Sequence, residues 1–86
     1  MFYYVYILLS EKDNKRYIGF TDNLRRRIEE HSGKLVVSTR HRIPLKLIYY
    51  EACLDKKDAK RREKYLKGQW GYKFINKRLE NFYQNL

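Results

Sequence analysis

A chain of 86 residues holds one small domain and leaves no room for a second core. Hydrophobic residues at 43% and aromatics at 16% suffice to close that core, which excludes a disordered chain despite 35% charged residues. Twenty Lys and Arg against ten Asp and Glu leave a net charge of +10, the balance of a domain that meets a polyanion, nucleic acid being the commonest.

Residues 2–9 are dense in aromatic, β-branched and aliphatic side chains, the pattern of a strand buried on both faces. The same stretch lacks the basic start and small-residue cleavage site of a signal peptide. No apolar run reaches the ~20 residues of a membrane span, so a cytoplasmic protein with no membrane partner is expected. Residues 11–15 form a polar turn, and residues 16–20 resume the strand pattern as the second arm of a hairpin. Gly19 inside that arm marks a bulge or a close backbone approach, a structural role.

Thr21 or Asp22 is placed to cap a helix running to Ser32, with Gly33 as its stop. Leu24 and Ile28 lie on one face of that helix, and Arg27 and His31 fall on the same stripe. Arg25 and Arg26 point elsewhere and are spaced to pair with Glu29 and Glu30. Arg27 is therefore the arginine turned toward the body of the protein.

Residues 33–50 carry no acidic side chain but include Lys34, Arg40, Arg42 and Lys46. The stretch begins as a polar loop and after Pro44 becomes a third strand over residues 45–52. Cys53, the lone cysteine, excludes an internal disulfide framework and, with two histidines, cannot complete a structural zinc site. It is expected to be buried and inert.

Asp55 is the natural N-cap of a second helix ending near Gly68, with Ala59, Arg62, Glu63 and Leu66 inward. Residues 56–78 hold ten basic and two acidic side chains, a surface suited to tracking phosphates. A last helix over residues 72–79 offers Phe74, Ile75, Leu79 and Phe82 as a lid on the core. Trp70 and Tyr72, beside Gly71, either plug that core or stack on an exposed base. The element order predicts a single α+β domain over residues 1–86, a small, mainly antiparallel sheet with helices packed on it.

Five residues stand out chemically: Tyr6, Tyr17, Arg27, His31 and Glu63. Each has an ordinary use. The tyrosines suit any strand, Arg27 can lay its stem on the sheet, and His31 is favourable near a helix C-terminus. Glu63 is spaced to pair with Lys60 or Lys67 on its own helix. Together they suit phosphodiester cleavage. One carboxylate can hold a Mg²⁺ that keeps most of its waters. A guanidinium matches the fork of phosphate oxygens, and a phenol can relay or accept the proton of an attacking water. That last task requires nearby positive charge to lower a phenol from its ordinary pKa near ~10.

The segment Tyr4-Val5-Tyr6, followed eleven residues after Tyr6 by Tyr17-Ile18-Gly19, resembles the paired signature of the GIY-YIG nuclease superfamily. Arg27, His31 and Glu63 match that family's pattern in order and spacing. The likeness spans nearly the whole chain and is to the small stand-alone bacterial members. These are related to the nuclease module of the excision-repair incision subunit and to homing-endonuclease modules. The resemblance implies a three-stranded antiparallel sheet flanked by helices and one divalent ion, Mg²⁺ or Mn²⁺, at Glu63. It implies further that Tyr6 and Tyr17 lie near the water nucleophile and that Arg27 contacts the scissile phosphate, and His31 matches a position often occupied by histidine in that family. Products would carry 5′-phosphate and 3′-hydroxyl ends. Tyr4 stands where the family name has glycine, so no backbone role of that glycine carries over.

The expectation is a metal-dependent DNA endonuclease cutting one strand per visit by in-line water attack. Catalytic roles fall to Tyr6, Tyr17, Arg27 and His31, metal binding to Glu63, and nucleic-acid contact to Lys34, Arg40, Arg42, Lys60 and Lys67. Its partner would be DNA, branched or damaged forms included. An alternative stays open: a nucleic-acid-binding module of the same fold that has no turnover, or that depends on a protein partner for substrate choice.

Overall fold

A computed structural model describes residues 1–86. Strand β1 (Tyr3–Ser10) forms the centre of the sheet, flanked by β2 (Arg16–Thr21) and β3 (Leu45–Cys53) in the order β2-β1-β3. Both pairings are antiparallel. Helix α1 (Leu24–Ser32) lies between β2 and β3 in sequence, and α2 (Lys56–Leu66), α3 (Gln69–Arg78) and α4 (Glu80–Gln84) follow β3. The α+β class and three-stranded antiparallel sheet agree with the sequence reading.

The centre of the sheet falls to β1 because both of its faces are apolar: every residue from Val5 to Ser10 is buried. Successive side chains take opposite faces. Val5 and Ile7 join Ala59 and Leu66 of α2 and Ile75 of α3 in the main core, with Ile18, Phe20, Phe74 and Leu79 packed around them. Tyr6 takes the other face. Its cross-strand partner is Gly19, and Leu8 faces Tyr17, so Tyr6 and Tyr17 share that side.

Gly19 marks a close approach rather than a bulge; the one register shift of β1 lies between Ile7 and Leu8, against β3. A Cβ on Gly19 would overlap Tyr6 Cζ and Oη and come within 2.9 Å of Cε1. The absent side chain is the space in which the Tyr6 ring lies.

Several boundaries differ from expectation for identifiable reasons. The α1 cap is Asn23, whose side chain accepts from Arg26 N–H at 3.1 Å. Thr21 is still in β2, and its buried hydroxyl accepts from Asn23 N–H at 3.1 Å. The helix stops at Gly33 as predicted, but the left-handed conformation falls on Lys34, with φ 64°. Arg26 pairs with Asp22 at 3.5 Å and Glu30 at 4.0 Å, whereas Arg25 and Glu29 form no ion pair.

Asp55 caps α2 as expected, accepting from Lys57 N–H at 2.8 Å. Gly68, expected near the end of α2, is instead the N-cap of α3, which starts three residues earlier than predicted. Gly71 is the cause. A Cβ there would overlap Leu66 Cα and the Tyr65 carbonyl, so only glycine lets α3 lie this close to the end of α2. Gly71 and Ile75, four apart, form the inward stripe. Trp70 and Tyr72 flank that stripe and point outward, so neither plugs the core. Cys53 is half-buried at the end of β3 rather than enclosed.

Three arginines tie the layers together. Arg16 donates through Nε to the Tyr83 hydroxyl at 2.6 Å and through Nη2 to Asn76, with its guanidinium over the Tyr72 and Tyr83 rings. Arg62 donates twice to Glu51, both bonds at 2.8 Å. Arg42 donates to Asp13 at 2.9 Å and to the Lys15 carbonyl at 2.9 Å, pinning the loop before β3 to the hairpin turn.

Candidate active site

The face of the sheet opposite the main core carries a compact polar cluster. Tyr6, at the middle of β1, is wholly buried, and its hydroxyl lies 2.8 Å from His31 Nε2. His31, in the last turn of α1, places Nδ1 2.7 Å from Thr39 Oγ1. All three residues are buried, and every buried polar side-chain atom has a partner. Tyr17 meets the His31 ring edge-on, with centroids 5.1 Å apart, and lies 6.4 Å from the Tyr6 ring. Unlike Tyr6, it is partly exposed.

Arg27 precedes His31 by one turn on the same face of α1. Its guanidinium pairs with Glu30 at 3.1 Å and sits beside the Tyr6 hydroxyl. About a third of its side chain (35%) reaches solvent, so it is anchored in the cluster and open to a ligand at once.

The electrostatics depart from the sequence expectation at Tyr6. Burial pushes its phenol above the ordinary value, and the neighbouring Arg27 does not reverse this; the charges of Tyr17 and Glu63 push the same way. The lowering required of a phenolic base is therefore not met at Tyr6, because desolvation outweighs one guanidinium. His31 is held down to about 4, first by burial and then by the Arg27 charge, against a smaller opposing pull from Glu30. At neutral pH the cluster thus pairs a protonated phenol with a neutral imidazole, which has one nitrogen free to accept.

Glu63, on α2, is half-buried and close enough to raise Tyr6 electrostatically. Its carboxylate is clasped by Lys67 at 3.1 Å and Lys60 at 3.8 Å. No group of three or more His, Cys, Asp or Glu side chains converges anywhere in the chain. A single hard-oxygen ligand still fits an ion such as Mg²⁺, which retains most of its waters and needs few protein donors. An ion there would have to displace the clasp; both lysine side chains are about half exposed (54%) and can turn to solvent.

The structure thus brings together Tyr6, Tyr17, Arg27 and His31, with Glu63 electrostatically linked to them. It separates the expected nucleic-acid contacts. Lys34 and Arg40 are exposed on the loop after α1 and form no ion pair. Lys60 and Lys67 serve Glu63, and Lys60 also lies 4.4 Å above the Phe20 ring. Arg42 donates to Asp13 and to two backbone carbonyls, an internal tie that a phosphate contact would have to share or displace. Thr39 was not anticipated. It sits in an irregular polar loop with no periodicity, and only the buried Val36 three residues earlier hints that this loop turns inward.

The small antiparallel sheet thus presents paired strand tyrosines beside a helix arginine, with a glutamate on a later helix. The sequence model of the GIY-YIG catalytic domain matches residues 2–78, and the chain belongs to this family, a nuclease superfamily. A UPF0213 protein of Clostridium perfringens is 46% identical over 65 residues, covering 74% of this chain and 69% of that protein. Another, from Lacticaseibacillus paracasei, is 41% identical over 72 residues, covering 83% and 73%. The solution NMR structure of a UPF0213 protein from Bacillus halodurans superposes with a TM-score of 0.54 at 37% identity, covering 87% of this chain and 82% of that one. No helix of this chain is long and apolar enough to cross a membrane.

Proposed function

We propose that this protein is a metal-dependent DNA endonuclease that hydrolyses one phosphodiester per visit by in-line attack of water. The observation that carries this reading is the cluster itself. A buried Tyr6–His31–Thr39 chain sits against two side chains that a substrate can reach, Tyr17 and Arg27.

Arg27 exchanges its Glu30 partner for the non-bridging oxygens of the scissile phosphate, a bidentate match of planar fork to oxyanion. Tyr17, the phenol open to solvent, orients the attacking water. A new P–O bond forms, the bond from phosphorus to the 3′ oxygen breaks, and the leaving oxygen takes a proton from solvent. This leaves 5′-phosphate and 3′-hydroxyl ends. The proton shed by the water passes to solvent beside Tyr17, while the buried Tyr6–His31–Thr39 chain holds Tyr17 and Arg27 in place. Glu63 would hold the divalent ion, Mg²⁺ or Mn²⁺, which supplies charge neutralisation and polarisation at the phosphate.

The test is incubation with supercoiled, branched and flapped DNA plus Mg²⁺ or Mn²⁺. Wild-type protein is expected to nick; Glu63→Ala, Arg27→Ala and Tyr17→Phe are expected to lose nicking by at least about a hundredfold. Cleavage that survives all three substitutions overturns the assignment.

The double lysine clasp on Glu63 favours a second reading, a nucleic-acid-binding module without turnover of its own or one that depends on a protein partner. Tight, salt-sensitive gel shifts with no cleavage under either metal would select it.

A further inference from the structure

The chain has one tryptophan, and Trp70 is 68% exposed. With Gly71 and Ile75 facing the core, α3 holds the indole at the side of the helix, where it forms one wall of a groove of about 660 Å³. Tyr65, Phe74, Lys73, Lys77 and Arg78 supply much of the rest, and none of these belongs to the Tyr6–His31 cluster. The aromatic floor is fixed from behind. Arg62, locked by its two bonds to Glu51, stacks on Tyr65 at 5.0 Å and on Phe74 at 4.8 Å. Lys73 Nζ lies 5.1 Å from the Trp70 ring. Neither Lys73 nor Lys77 has a carboxylate partner, and Glu80 is the groove's one acidic residue.

We infer that this groove binds single-stranded nucleic acid, with unpaired bases stacked on Trp70 and the backbone paired with Lys73, Lys77 and Arg78. The inference rests on the reading of DNA as the substrate and adds that the substrate carries an unpaired stretch. The combination of groups selects this occupant. A flat indole beside mobile cations matches a base and its phosphate, a sequence-tolerant mode of recognition. A duplex keeps its base faces stacked and would leave the indole unused. An acidic peptide would satisfy the cations and equally ignore the ring.

Because Trp70 is the sole tryptophan, its fluorescence reports on this groove alone. The protein is titrated in EDTA with an oligothymidylate of about 12 nucleotides. An abasic chain of equal charge, a duplex and poly-glutamate are titrated in parallel. The oligothymidylate is expected to quench the indole strongly and the other three weakly. Trp70→Ala is expected to weaken binding of a labelled oligothymidylate about tenfold, with an unchanged thermal midpoint because the side chain lies outside the core. Lys73→Ala with Lys77→Ala is expected to weaken binding and flatten its salt dependence. Equal quenching by the abasic chain, the duplex or poly-glutamate, or full affinity in Trp70→Ala, overturns the inference. The assay has no divalent ion and scores no cleavage, so an inactive nuclease leaves its result intact. A silent indole, conversely, leaves the catalytic reading standing.

Discussion

At the scale of single residues, the neutral imidazole of His31 is the feature with the sharpest physical consequence. Its folded pKa of about 4 lies below the ordinary value of 6.5, so the unfolded chain takes up the proton first as pH falls. The stability contributed by neutral His31 is complete above pH 6.5 and is lost on descent toward pH 4. The shift corresponds to roughly 3 kcal/mol across that window. Urea unfolding of the wild type and of His31→Asn at pH 7, 5.5 and 4 measures it, since the carboxylates common to both chains cancel. The stability gap between them should shrink as pH falls; a gap independent of pH would contradict a buried neutral imidazole.

Arg27 and His31 were legible because helical spacing puts them on one face of α1, and Tyr17 because its motif marks it on the second arm of the hairpin. Tyr6 was legible in place but not in character. A linear pattern shows the nearby arginine and hides the depth of burial that outweighs it. Thr39 was illegible, as its hydrogen bond depends on how an irregular loop closes over α1.

At the scale of elements, close approach decides geometry. Gly71 admits α3 against the end of α2, and the obstacle to any side chain there is backbone, which cannot turn aside. Gly71→Ala should therefore destabilise by about 2–4 kcal/mol, by forcing the two helices apart over Leu66 and Ile75. Thermal unfolding reads this directly; a midpoint within a degree or two of wild type would show that α3 has another way to dock.

The hairpin, the third strand and the Asp55 cap were readable from residue type and turn chemistry. The cap of α1 slipped to Asn23 because β2 extends through Thr21 before the chain turns. The start of α3 was misplaced because Gly68 and Gly71 read alike as breakers. One is an N-cap, and the other is a contact inside the helix.

At the scale of the whole molecule, the net charge of +10 foretold a polyanionic partner but not which cations would face it. Arg16, Arg42 and Arg62 are spent on tying strands to loops and helices. Lys60 and Lys67 guard Glu63. The cations in no ion pair include Lys34 and Arg40 on the loop after α1 and Lys73, Lys77 and Arg78 on α3, but also Arg25 on α1 and Lys56, Lys57 and Lys64 on α2, a distribution a composition total does not give. The proposed function depends on the Tyr6–His31 cluster, with Glu63 as its one acidic member outside α1. Single-turnover cleavage with saturating protein, Mg²⁺ and end-labelled flapped DNA compares the wild type with Glu63→Gln, a change that keeps the shape and removes the charge. The account predicts equal or tighter DNA binding by Glu63→Gln, with strand cleavage slowed at least about a hundredfold. Cleavage by Glu63→Gln at the wild-type rate would contradict it.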